Sequence, residues 1–430
     1  MEAFKIKNGL SAKRYLGSTT TLSGSTIDLS LGSMFSTTLS SDPAYTFTNP
    51  PASGNAQAFS VEVTGGTTTF TQDSFATTLY TGNGFSQTIT NGLDLAGDGG
   101  LVWVKWRSGN ATPGSNTDHI LVDTERGTSV YLESNSTSAN KSTAALSSFN
   151  SDGFTTSGAL VDVDNSGDQY ASWSFKKQTK FFDIVTWTGD GVSGRTISHS
   201  LNSEVGFYVV KRLDASGDWR TYHRVSDSAS NPHIAYLNGT SGGVFESDKL
   251  TATSTTFTIE GAFNGDFNSP GQTYVAYLFA HDTASDSRIK CGTFTPNGSG
   301  EASIDLGWEA QFVIWKRTDA SQNWYMVDSQ RDIGVLRPNT SDAEVTNFDF
   351  WNPIATGFDV LNLTASSPYI YIAIRASAAT DSAITWPSSV KWPSGVAPTT
   401  PAAGTKDLFT FLTTDGGTTY YGKKAAEGLA

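Results

Sequence analysis

The chain has one cysteine, three methionines and five histidines in 430 residues. A lone Cys291 closes no internal disulfide, and histidines so scattered supply no structural zinc site. Charge is also sparse: Asp, Glu, Lys and Arg make up 16%, with a net charge of −13. That acidic balance argues against nucleic acid as the main partner, because phosphate contacts need a basic face. No run approaches the roughly 18 apolar residues of a membrane span, so no membrane insertion is expected. The opening residues MEAFKIKNGLSAKRYLG lack the apolar centre of a secretory leader, and none is expected here. A Gly-x-Ser-x-Gly elbow, a phosphate loop and a His-rich metal run are all missing, and the chain is not expected to be an enzyme.

What is present is turn chemistry and short apolar bursts. Aromatics reach 12%, too many for a disordered chain, and Gly, Ser, Thr and Asn separate stretches of period-two alternation. No stretch keeps a 3.6-residue period over a helical length, so an all-β fold of antiparallel sandwiches is expected. The strongest signal is a repeat: Phe312–Trp324 (FVIWKRTDASQNW) closely copies Phe207–Trp219 (FYVVKRLDASGDW), and Leu101–Arg107 (LVWVKWR) is a looser third. Near-equal spacing of Lys105, Lys211 and Lys316 marks three tandem modules.

Boundaries follow from the chain in order. Residues 1–17 form a basic lead carrying Lys5, Lys7, Lys13 and Arg14, either a loosely docked terminus or a virion anchor. Strand alternation at Ile27, Leu29, Leu31 and at Phe59, Val61, Val63 stops near Gly65-Gly66, too short to stand alone. Module 1 is placed at 67–177, module 2 at 178–283 and module 3 at 284–380, each as a two-sheet antiparallel sandwich. Modules 1 and 2 open alike, with Tyr80-Thr81-Gly82-Asn83-Gly84 and Trp187-Thr188-Gly189-Asp190-Gly191. The tail ends in a hairpin around Asp415-Gly416-Gly417. Residues 18–66 and 381–430 are therefore expected to be one small β domain, split by insertion of the three modules and kept as four independently packed bodies.

Two resemblances bear on function. TLSGSTIDLS and TFTNPPASGNAQAFSVEVTGG, with AITWPSSVKWPSG and DLFTFLTTDGGTTYYGKKAAEGLA, resemble a module of tailed-phage fibre proteins. LYTGNGFSQTITNGLDLAGDGGLVWVKWR, with YASWSFKK and KFFDIVTWTGDG, resembles a repeated virion module of marine and cyanobacterial phages, of concanavalin-A-like, jelly-roll or lectin-like type. The resemblance implies a virion protein of tail-fibre, head-fibre or spike type, made in the host cytoplasm and exposed on the particle. It implies a homotrimer among other virion proteins, attaching to a host surface glycan or protein by multivalent contact. It carries no catalytic or ligand residues. A purely structural decoration or adaptor, and a polysaccharide depolymerase, stay open beside it.

Candidate residues are few. Trp106, Trp187, Trp219 and Trp324 are the candidate ligand platforms, with Trp308 and Trp351 beside them, because flat rings stack on sugars. Trp219 and Trp324 follow polar turns, which places them nearer the surface. Asp162, Asp164, Ser166 and Asp168 space oxygens as a calcium loop opens, although Trp173 stands where the closing acid belongs. A plain strand-connecting turn accounts for the same four residues. Aligning the modules on their lysines matches Asp123 with His223 and Asp328, and Arg126 with Arg331. A lysine–aspartate pair there is either a base with its orienting partner or, as expected because module 2 has His223, a cross-strand ion pair at a sandwich edge. No spacing singles out a carboxylate pair for glycoside hydrolysis among Asp123, Glu125 and Asp152. The Asn-x-Ser/Thr triplets at Asn110, Asn135, Asn238, Asn339 and Asn362 are expected to be chance.

Overall fold

The computed structural model describes residues 19–22, 26–38, 45–53, 55–64, 74–111, 117–225, 233–245, 250–259, 267–284, 287–331, 334–346, 350–376, 384, 386–393, 395–398, 401 and 405–429. The anchor candidates Lys5, Lys7, Lys13 and Arg14 lie outside them. Strands dominate, and the described helix is one turn, Val161–Asp164. The chain divides into two units: Met1–Phe70 with Ala378–Ala430, and Thr71–Ser377.

The first unit is built on one six-stranded sheet in which Gln57–Thr64 runs antiparallel to Lys406–Thr413. Alternation explains the pairing: Phe59, Val61 and Val63 point to the same buried side as Phe409 and Phe411. Phe47, Tyr420 and Trp386 complete that core, with Phe59 and Phe411 stacked at 5.0 Å. The expected antiparallel pattern fails on both flanks, and at one edge Val390–Lys391 pairs in parallel with Tyr420–Leu429. Thr20–Thr21, Met34–Thr38 and Gln57–Thr64 pair in parallel, as do Thr26–Asp28 and Thr46–Thr48. Alternation records which face is buried but not which way the neighbouring strand runs.

The second unit holds three pairs of antiparallel sheets. Module 1 pairs a five-stranded sheet centred on Gly100–Ser108 with a three-stranded one. Module 2 pairs six strands around Glu204–Arg212 with three, and module 3 pairs four strands around Ala310–Arg317 with three. In the central strands of modules 1 and 3, alternate residues serve different cores. Val102, Val104 and Trp106 enter the sandwich of module 1, whereas Leu101 and Trp103 join a core shared with Phe207, Val209, Phe312 and Ile314. Val313 and Trp315 likewise fill the module 3 sandwich.

The modules are thus not independently packed, which corrects the expectation of separate bodies. Their large sheets face one another, and the apolar run on both faces of each central strand is the mark of that second contact. Only about 20 Å³ is left where Trp103, Phe175, Phe207, Phe279, Phe312 and Ile372 meet. That is room for about one water, and an apolar lining keeps such a void dry.

Candidate functional site

The repeated lysines are the natural starting point, and each is buried. Lys211 Nζ donates to Gly217 O of its own turn at 2.7 Å and to Thr137 O of module 1 at 2.9 Å. Lys316 donates to Gln322 O of its own turn and, at 2.8 Å, to Thr240 O of module 2. Lys105 closes the circle, donating to Thr117 O at 2.5 Å and to Ser341 O of module 3 at 3.1 Å. Three equivalent contacts that return to their start define a closed ring with approximate threefold symmetry inside one chain. Burial lowers the lysines from the usual value, Lys105 to about 7 and Lys211 and Lys316 to about 8.

The carbonyls come from triplets that looked accidental. Asn135, Asn238 and Asn339 occupy equivalent turns, and each Oδ1 accepts the backbone N–H of His119, Trp219 or Trp324. Two residues further on, Thr137, Thr240 and Ser341 cap the lysines of the neighbouring modules. These three Asn-x-Ser/Thr sites therefore recur because the seam needs an amide side chain and a presented carbonyl. Comparing the modules with one another at these turns was the signal that could have found them.

Trp219 and Trp324 belong to the same seam. Trp219 Nε1 donates to Glu133 O of module 1 at 2.8 Å, and Trp324 Nε1 donates to Tyr236 O of module 2 at 2.9 Å. The equivalent His119 uses Nε2 to donate to Arg337 O of module 3 at 3.0 Å, while its Nδ1 accepts from Trp103. Burial holds His119 well below the ordinary histidine range, in the neutral form these bonds require. Asp328 accepts from Arg331 at 2.6 Å and from Trp173 of module 1 at 2.9 Å; Asp123 accepts from Arg126 at 2.6 Å and from Tyr277 of module 2 at 2.7 Å. These are not exposed edge pairs, since both aspartates are fully buried.

The four candidate ligand platforms need correction. Trp106, Trp187, Trp219 and Trp324 are 3%, 8%, 0% and 1% exposed, so no ring is open to a sugar. Trp106 lies in the module 1 sandwich, and Trp187 stacks on Tyr274 at 5.3 Å. Trp308 and Trp351 are buried in module 3. The calcium-loop residues do not gather either. Asp164 spends its carboxylate on Asn83 N, Gln87 Nε2 and Thr156 Oγ1; Asp168 spends its own on Asn110 N and Asn165 Nδ2. Asp162 faces Asp118 N at 3.3 Å, and burial raises its carboxyl above the usual range. Among the described residues no three His, Cys, Asp or Glu are grouped to hold a metal. The segment Asp162–Asp168, Ser166 included, is the turn that supports the neighbouring loop.

That loop is the surface feature the repeat produces twice. Phe85 N donates to Asn83 Oδ1 at 2.6 Å, and at the equivalent position Val192 N donates to Asp190 Oδ1 at 2.9 Å. Asn83 N is held by Asp164, and Asp190 N by Asn268 Oδ1 at 3.1 Å. A Cβ on Gly82 would stand 2.1 Å from Asn165 O, and one on Gly189 2.1 Å from Ser269 O, so only glycine permits the approach. The turn acceptors Asn83 Oδ1 and Asp190 Oδ1 are used internally, and the residue carried at the tip is left in water: Phe85 is 76% exposed and Val192 59%. Module 3 keeps the turn, Ser299 N donating to Asn297 Oδ1 at 2.8 Å, but puts a serine at the tip.

Residues 71–377, the whole ring, match the family described as Domain of unknown function (DUF7483). The chain belongs to the DUF7483 family. The DUF7483 match ends where the second unit ends and does not extend into the split sheet. No curated protein matches the chain.

Proposed function

We propose that this DUF7483 chain is a virion attachment protein of fibre or spike type, binding a host surface glycan or protein through loops held on a rigid ring. The observation that carries the reading is the pair of pre-ordered loops with Phe85 and Val192 at their tips. Ordering a loop before binding removes an entropic cost, and two linked tips add avidity. The phage origin rests on sequence resemblance. A homotrimer, also implied by that resemblance, would use surfaces outside the seams, because those contacts close within one chain.

The test is adhesion of purified chain to host cells and to a glycan array, compared with the double variant Phe85→Ser, Val192→Ser. Loss of adhesion with an unchanged melting temperature is the expected result. Equal adhesion removes the tips from the reading, and no adhesion by the unaltered chain removes the reading itself. A second reading, a structural spacer, is favoured by the shared core, which makes the three modules one stiff body.

A further inference from the structure

Module 2 has an open side. The strands Phe182–Thr188 and Arg195–Ser198 are each outermost in their sheets, and between them lies a cleft of about 450 Å³. That volume falls within the roughly 300–1,000 Å³ of small-ligand sites. Residues 196–200 line one edge, with Thr196, Ser198 and Ser200 exposed and Ile197 and His199 between them buried. Thr186 adds a fourth hydroxyl from the facing edge.

One end of the cleft is charged and is walled by module 1. Asp183 is buried and fixed, its Oδ1 accepting from Ile184 N at 2.9 Å and its Oδ2 from Ser200 N at 2.6 Å. Lys177 reaches in from module 1, 2.5 Å from Glu125 Oε1 and 3.6 Å from Asp183 Oδ1. Both modules contribute to this wall.

The chemistry narrows the ligand. Two carboxylates face one ammonium, so the wall is negative and repels phosphate, sulfate or an acidic sugar. Among the described residues no metal-holding cluster is formed. An apolar ligand would strip water from four hydroxyls and give nothing back. A neutral polyol suits the polar groups: its hydroxyls can donate to the carboxylates and exchange bonds with Ser and Thr.

We infer that this cleft is a saccharide subsite taking a short neutral oligosaccharide, an inference that rests on the attachment reading. The test is saturation-transfer NMR on the full chain with maltotriose, mannotriose and galactotriose, and with trigalacturonate as the charged control. At least one neutral trisaccharide should bind, trigalacturonate should not, and Ser198→Trp should weaken binding by about tenfold or more. Thr186→Trp fills the cleft from the other edge and serves if the first variant misfolds by circular dichroism. No neutral trisaccharide bound, equal binding by the folded variants, or trigalacturonate bound as tightly would each overturn the assignment. Host-cell adhesion kept by Ser198→Trp overturns the subsite but leaves attachment standing. Adhesion absent from the unaltered chain, with trisaccharide binding still lost on filling the cleft, overturns attachment and leaves the subsite.

Discussion

The seams between modules and the loops at their rim are built from equally repeated residues, yet they do opposite things with them. At the seams, Lys105, Lys211, Lys316, Trp219 and Trp324 find their partners in a neighbouring module. At the rim, Asn83, Asp190, Gly82 and Gly189 find theirs within their own module and leave Phe85 and Val192 in solvent. Repetition therefore marks structure in both places, and only the rim has something left over for a partner.

The comparison breaks most directly at the seam aspartates. Asp328→Ala leaves the fully buried Arg331 guanidinium with Glu344 as its remaining carboxylate and Trp173 Nε1 without its Asp328 acceptor. Removing one partner of a buried pair costs about 3–5 kcal/mol. Urea denaturation should show that loss for Asp328→Ala and a similar one for Asp123→Ala. A loss below about 1 kcal/mol would mean that the seam is wetter than its burial indicates. Next in size is Gly189→Ala, where the added methyl meets Ser269 O and the loop must shift. Overpacking of this kind costs about 1–3 kcal/mol, and Gly82→Ala should match it if the two loops are equivalent.

How much of this was legible before the structure depends on where each residue's partner lies. Strand content and the three modules could be read locally, from alternation at Phe59, Val61, Val63 and from the period of the Lys-bearing strands. The purpose of those lysines could not, because Lys105 is capped by Ser341 and Lys211 by Thr137, partners that no local pattern announces. Trp219 follows a polar turn and reads as a surface residue; module 1 covers it with the carbonyls of Glu133 and Ser136. The parallel strands of the first unit were hidden for the same reason, since a strand's neighbour is not written in its own alternation. The cleft of module 2 was hidden too, because its wall joins Lys177 to Asp183 across a module boundary.

The seam lysines also give the ring a pH dependence in the alkaline range. An unfolded lysine titrates near 10.5, whereas burial holds Lys105 at about 7 and Lys211 and Lys316 at about 8. Between those values the unfolded chain binds protons that the folded ring does not. Stability therefore rises with pH from about 7 toward 10.5 and is lost again as pH falls back through that window. Denaturation at pH 7 and pH 9 should differ, and Lys105→Met should shrink the difference by on the order of 1–2 kcal/mol. An unchanged difference in Lys105→Met would mean that this ammonium keeps its charge, and with it enough water, in the folded ring.

The smallest effect on stability is expected at the rim, and that smallness is the informative part. Phe85 gives its backbone N–H to Asn83 but leaves its ring in water, so Phe85→Ser removes little that folding had buried. A surface change of this kind stays within about 0.5 kcal/mol, and removal of an exposed ring should if anything raise solubility. Asn83→Ala is the sharper companion, because it takes away the turn acceptor while leaving the ring in place. If adhesion depends on a pre-ordered tip, Asn83→Ala should weaken it nearly as much as Phe85→Ser does, chiefly through faster dissociation measured by biolayer interferometry. If only Phe85→Ser weakens it, the ring binds as a loose apolar contact, and the care taken to hold the loop serves the fold rather than the partner.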